Sequence, residues 1–180
     1  FEPFTAGMIN SAYENGFRGN FVVGTNDDNV KSFDNDLISL KKISEDKLWI
    51  GNLKPRLILE SSSEYFLWLD SDIIINSPNF FKIICDILPE KLFLSLEGFI
   101  PSSDIRRHTW SKKLSNEKSN TNNTSEYFSS GILGGKFNRD KDLLKSWEIG
   151  MHKALSQPAK IFQNPFFLMP DQDVLNGVIQ

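Results

Sequence analysis

The chain has one cysteine and two histidines in 180 residues, and no excess of positive charge. A single thiol, Cys85, excludes an internal disulfide. Its place in an apolar helical pattern makes it a buried structural thiol, which fits a reducing, cytoplasmic setting. No apolar run approaches the ~20 residues that span a bilayer, and the N-terminus lacks the charged-then-apolar pattern of a signal peptide. Without that pattern, the sequons at Asn122 and Asn123 read as incidental. A formal charge of -3 argues against general nucleic-acid binding, which needs a basic face or stripe. Small anionic ligands stay open if a metal screens them.

What is present is 39% hydrophobic residues, enough for one domain with a core and no sign of a second. The single domain covers residues 1–180. The start at Phe1 and the stop at Gln180, inside an apparent helix, lead to the expectation that terminal segments are missing. Helical apolar spacing runs from Thr5 to Asn15, with Gly16 as its stop. Asn20 to Thr25 reads as a short buried strand, and a helix is expected around Asp36 to Ile43. Pro55 suits the first turn of another helix.

The run Tyr65 to Ile75 reads as a buried strand that carries Asp70 and Asp72. Phe80 to Leu88 follows as a helix ended by Pro89, and Leu92 to Leu96 as a strand. Pro101 to Ser125 is polar and reads as a long loop of the kind that forms lids or mobile insertions. Tyr127 to Phe137 is β-like, Asp140 to Leu155 is an amphipathic helix, Phe166 to Leu168 a short strand, and Asp171 to Ile179 a helix with an acidic first turn. This alternation predicts an α/β domain with a mainly parallel sheet flanked by helices, and with ligands at the carboxyl ends of its strands.

Two carboxylates inside an apolar run are costly unless paired or bound to a metal. With one residue between them, Asp70 and Asp72 can lean on one cation where the strand ends. They supply the hard oxygen ligands that suit Mg²⁺ or Mn²⁺. The plain alternative is a strand end followed by a polar turn.

Four segments combine with this pair: Lys54-Pro55-Arg56-Leu57, Leu67 to Asp72, Tyr127-Phe128-Ser129-Ser130-Gly131, and Pro170-Asp171-Gln172-Asp173 through Asn176. Their order and spacing resemble the GT-A (Rossmann-like) nucleotide-sugar glycosyltransferases, particularly glycosyltransferase family 8, over roughly Leu53 to Asn176. The resemblance implies a metal-dependent transferase that moves a sugar from a nucleoside diphosphate, UDP foremost, to a carbohydrate or glycolipid acceptor with retention. It assigns Asp70 and Asp72 to a Mn²⁺ or Mg²⁺ ion, and Arg56, Lys54, Asp70, Ser71, Ser129, Ser130 and Gly131 to the donor. Asp171 would hold donor hydroxyls, and Gln172 would lie beneath the anomeric carbon.

Ser129 stands where the family usually has Asn, which alters the sugar contact. The family's third metal ligand, a histidine, is expected beyond the chain end, since neither His108 nor His152 is placed for it. His152 reads as a surface or boundary residue.

The loop with Arg106, Arg107, His108, Trp110, Lys112 and Lys113 could stack an acceptor sugar on Trp110, close over the diphosphate, or meet an acidic membrane surface. Three other readings compete. A haloacid-dehalogenase-type phosphatase also has Asp-x-Asp after a strand, but needs a turn where Ile73-Ile74-Ile75 reads as strand. A GT-A-fold domain that binds sugar without catalysis is the second. The third is an inverting transferase, for which Glu97, at the end of its strand, is the available base.

Overall fold

Strand β3 (Tyr65–Leu69) links two hydrophobic cores, because its alternate side chains feed different clusters. Phe66 and Trp68 join the larger cluster, built on Trp110, Trp147, Leu144, Met151, Phe167, Val174 and Leu175. Leu67 and Leu69 pack on the opposite face against Ala12, Ile75 and Phe81. This period-two division is what a strand covered on both faces requires. The computed structural model describes residues 2–27, 29–30, 36–43, 50–61, 63–114, 125–155 and 166–179. The sequons at Asn122 and Asn123 lie outside them.

In chain order the elements are α1 (Glu2–Glu14), β1 (Phe21–Thr25), β2 (Ile38–Lys42), a 3₁₀ turn (Ile50–Leu53), α2 (Lys54–Leu59), β3, α3 (Asn79–Ile87), β4 (Phe93–Phe99), α4 (Ile105–Leu114), β5 (Glu126–Lys136), α5 (Phe137–Leu155) and α6 (Pro170–Ile179). The protein is therefore mixed α/β. Strands β1 and β2 form a parallel pair, while β5 lies between β3 and β4 and is antiparallel to both. A mainly parallel sheet was expected; among the described residues one pairing is parallel and two are antiparallel. An apolar run specifies a strand without specifying its direction. Because β3 and β4 both oppose β5, they run the same way, and their carboxyl ends share one edge of the sheet.

Two further expectations are corrected. Asp36 to Ile43 is not a helix: Ile38 and Leu40 alternate with Ser39 and Lys41, and the segment pairs with β1 from Phe21↔Ile38 to Thr25↔Lys42. Phe166 to Leu168 is a turn rather than a strand, with the Phe166 carbonyl accepting the Trp110 indole N–H at 2.5 Å.

The polar stretch after Pro101 also contains helix α4, started by Asp104, whose carboxylate accepts the Arg106 backbone N–H at 2.8 Å. Trp110 and Leu114 hold α4 on α6 at Gly177, where a Cβ would come within 2.5 Å of Leu114 Cδ1. Cys85 is exposed, contrary to expectation, because α3 buries the stripe Phe81, Ile84 and Leu88 and turns Cys85 outward. Gly16 ends α1 as expected, at φ +100°.

Candidate active site

At the end of β3 the chain leaves the sheet. Asp70 N–H donates to the Gly131 carbonyl at 2.9 Å, and Ile73 N–H closes a turn onto the Asp70 carbonyl at 3.1 Å. Ile73 to Ile75 therefore does not continue the strand as expected; Ile73 and Ile75 fold onto the core at Ala12 and Phe81. Both Asp70 oxygens are engaged. Oδ1 accepts the Trp68 indole N–H at 2.7 Å and Oδ2 accepts the Lys54 ammonium at 2.9 Å.

Lys54 opens α2 with Pro55 behind it, and Leu57 and Ile58 anchor that helix in apolar surroundings. The lysine is only 6% exposed. Its ammonium donates to Asp171 Oδ2 at 2.7 Å, to Asp70 Oδ2 at 2.9 Å and to Ser130 Oγ at 3.2 Å. A buried ammonium needs such partners, and it has two carboxylates here.

Ser130 reaches this point through a bulge in β5. Pairing with β4 jumps from Leu94↔Leu133 to Ser95↔Ser129, so residues 130–132 have no partner in β4, while Ile132 still pairs with Leu69 of β3. Ser130 Oγ donates to Asp171 Oδ2 at 2.7 Å, and Ser129 Oγ accepts Gly131 N–H at 3.1 Å. A Cβ on Gly131 would lie 3.3 Å from Asp70 Oδ2, so close backbone approach explains that glycine.

Helix α6 supplies the remaining wall. Asp171 Oδ1 makes no hydrogen bond with any described residue. The Gln172 carbonyl oxygen accepts Ser130 N–H at 3.2 Å. Its Nε2 is enclosed and, among the described residues, lacks a well-formed hydrogen bond; the Tyr127 hydroxyl is its polar neighbour. Gln172 thus holds the bulge in place.

Two residues with structural roles lay in the quoted segments without being assigned. Asn176 pairs with both backbone groups of Phe128, at 2.8 Å and 2.7 Å. Asp173 accepts the Tyr127 hydroxyl at 2.7 Å and Met169 N–H at 2.9 Å. Their spacing on α6, four residues from Gln172 and from Met169, puts each pair on one helical face and was the available signal.

Burial raises the Asp173 carboxyl above its ordinary value of 3.8, against the lowering effect of its two hydrogen bonds and of Arg106. The Tyr127 hydroxyl is pushed up as well, chiefly by burial and then by Asp173, so it keeps its proton and donates. A raised folded-state pKa means that the native state binds the proton more tightly than the unfolded chain. Stability from this group is therefore present at low pH and declines as pH rises from 3.8 through the raised value. Asp173→Asn removes that decline, at the pH-independent cost of an amide nitrogen that cannot accept both bonds. Urea unfolding across this range should show the variant gaining on the parent as pH rises; a constant difference would mean the carboxyl is not perturbed.

Lys54, Asp70, Ser130 and Asp171 converge directly, while Gln172, Ser129 and Gly131 shape the bulge beside them. Ser71 and Asp72 lie on the adjoining turn and make no hydrogen bond or ion pair with described residues; Asp72 is exposed. Arg56, assigned to the donor, is turned away: Nε binds Glu148 Oε1 at 2.8 Å and a terminal nitrogen lies 3.1 Å from His152 Nε2. Residues two apart on a helix point in different directions, so Lys54 and Arg56 cannot both face Asp70. His152 is exposed, as its sequence position suggested. Trp110 is fully buried and cannot stack on a sugar, and His108 is exposed on α4. Glu97 is the bulged, exposed residue within β4, between Leu96↔Phe128 and Gly98↔Tyr127.

A cavity of about 270 Å³ beside α2 is lined by Lys42, Ile43, Leu53, Arg56, Leu57 and Glu60 and includes none of the converging groups. The site lies at the Lys54 cluster, where the charges meet. Among the described residues no three His, Cys, Asp or Glu side chains form a metal cage. No protein-family model matches the chain, and no curated protein matches it.

Proposed function

We propose that this protein is a metal-dependent glycosyltransferase of GT-A type that takes a sugar from a nucleoside diphosphate, UDP foremost, to a carbohydrate or glycolipid acceptor with retention. The observation that carries the reading is the Lys54 ammonium, which ties Asp70, Ser130 and Asp171 from three separate segments into one cluster. One lysine against two carboxylates leaves a formal charge of about -1, and Asp72 on the adjoining turn makes it about -2. The donor set is hard oxygen, with Asp72 uncommitted. Two carboxylates completed by phosphate oxygens and water are a normal Mg²⁺ or Mn²⁺ arrangement. Asp70 and Asp72 would hold the ion, which supplies neutralisation of the diphosphate as charge builds on it.

The chain's own groups supply the rest. Lys54, its three N–H donors taken by Asp171, Asp70 and Ser130, positions those oxygens, and Asp171 Oδ1, which has no hydrogen bond with a described residue, can accept a sugar hydroxyl. Gln172 is neutral and tied to Ser130, which makes it a poor nucleophile and a good anchor for the bulge. Retention then follows from front-face attack. The bond from the anomeric carbon to phosphate breaks, the acceptor oxygen bonds to that carbon from the same side, and the acceptor proton goes to the departing phosphate. The turn at Ser71 removes the objection to a phosphatase based on a continuing strand. Each oxygen of Asp70 accepts one hydrogen bond and keeps a second lone pair, so a covalent trapping experiment decides between the two readings.

The test is a panel of nucleotide sugars incubated with the protein and Mn²⁺, with released nucleotide measured. Release from one donor class, and an α product by NMR with acceptor, are expected. A β product would overturn retention. Donor binding without any release would identify a domain that binds sugar without catalysis, and phosphate trapped covalently on Asp70 would identify a phosphatase.

A further inference from the structure

We infer that Asp173 and Tyr127 are positioning residues: together they set the direction of a hydrogen-bond chain that fixes the Gln172 amide and, through it, the place of Ser130 in the site. The chain starts from a donor that cannot reverse. The Met169 backbone N–H donates to Asp173 Oδ2 at 2.9 Å, and the other carboxylate oxygen accepts the Tyr127 hydroxyl at 2.7 Å. With its one proton committed there, the tyrosine oxygen offers only lone pairs to anything else beside it. Its neighbour is Gln172, 4% exposed, whose Nε2 is enclosed next to that hydroxyl. The other end of the same amide accepts the Ser130 N–H at 3.2 Å.

An amide has one accepting and one donating end, so it fits only one way round between an oxygen that accepts and an N–H that donates. Turned over, Gln172 would set its NH₂ against the Ser130 N–H and its oxygen against the Tyr127 oxygen. Both contacts would join like with like, and buried polar groups left unpaired are costly. Ser130 has no partner in β4, so Gln172 holds its N–H where the sheet does not. The hydroxyl of the same residue lies 3.2 Å from the Lys54 ammonium and donates to Asp171 Oδ2 at 2.7 Å. A carboxylate that touches none of the converging groups therefore governs one that does. The link between Ser130 and donor chemistry rests on the proposed transferase reading; the hydrogen-bond chain itself does not.

Asp173→Asn reverses the chain. The Met169 N–H claims the variant's one side-chain oxygen, which leaves an NH₂ against Tyr127. The tyrosine then accepts that bond and turns its own proton toward Gln172, which has no orientation that serves both Tyr127 and Ser130. Hydrogen exchange of the Ser130 amide, followed by NMR, should quicken at least about tenfold relative to that of Leu133 in the same strand. Nucleotide release should fall at least about tenfold. Adding Gln172→Glu supplies an acceptor to each side at unchanged net charge, so the pair should bring Ser130 exchange back to within about threefold of the parent. A side chain that merely fills space would not be rescued in this way. If Asp173→Asn alone does not fold, the pair is still required to. Unchanged Ser130 exchange in a folded Asp173→Asn protein, a pair no better than the single variant, or a pair that does not fold would overturn the inference. A parent that releases no nucleotide would overturn the transferase reading alone, because the Ser130 amide is measured without donor.

Discussion

Lys54→Met should cost about 3–5 kcal/mol of folding stability, the usual loss when one partner of a buried ion pair is removed. Methionine is an unbranched side chain of similar length, so cavity formation adds little, and the loss comes from Asp70 and Asp171. Both carboxylates converge on the one ammonium, at 2.9 Å and 2.7 Å. Without it they face one another across a site shielded by Ser130 and Trp68. Asp70 keeps a third of its side chain in solvent and Asp171 about half that share, which brings the expected loss toward the lower end.

Restoring the balance should restore stability: Lys54→Met with Asp171→Asn is expected to recover about half the loss, because one carboxylate then remains and water reaches it. Urea unfolding of the two variants and of Asp171→Asn alone measures the coupling. A Lys54→Met protein within about 1 kcal/mol of the parent would mean that the lysine is solvated rather than enclosed.

How far this site was legible from sequence depends on what each residue type encodes. The apolar run from Tyr65 located β3 but not its end at Leu69, because a continuous run reports burial without a boundary, and the helical spacing of Phe80, Phe81, Ile83, Ile84, Ile87 and Leu88 located α3. Helix α4 was hidden because its apolar residues are sparse. It is stabilised by Trp110 and Leu114 packed on α6, and by Arg107, which donates to the Ile100 and Glu126 carbonyls at 2.9 Å and 2.7 Å. Such support from distant segments leaves no periodic trace. The same limit decided between Lys54 and Arg56. Both were placed on the right helix, but the face that meets Asp70 is set by how α2 packs against α5 through Arg56 and Glu148. The bulge that delivers Ser130 depends on a register shift against β4, which no local sequence signal announces.

Asp72→Ala should leave the fold intact while removing function, which separates the metal role from the structural roles around it. Asp72 is exposed on the turn after Asp70 and makes no hydrogen bond or ion pair with described residues, so its loss should change stability by no more than about 0.5 kcal/mol. If it holds the cation, Mn²⁺ titrated by calorimetry should bind at least about tenfold more weakly, and nucleotide release should fall at least about a hundredfold.

Asp70→Asn should behave differently. That position accepts both the Trp68 indole and the Lys54 ammonium, so its variant loses stability as well as Mn²⁺ affinity. The contrast matters because a purely structural carboxylate pair would leave Mn²⁺ binding unchanged in both variants. Unchanged Mn²⁺ affinity in Asp72→Ala, with the parent binding Mn²⁺, would place the cation elsewhere.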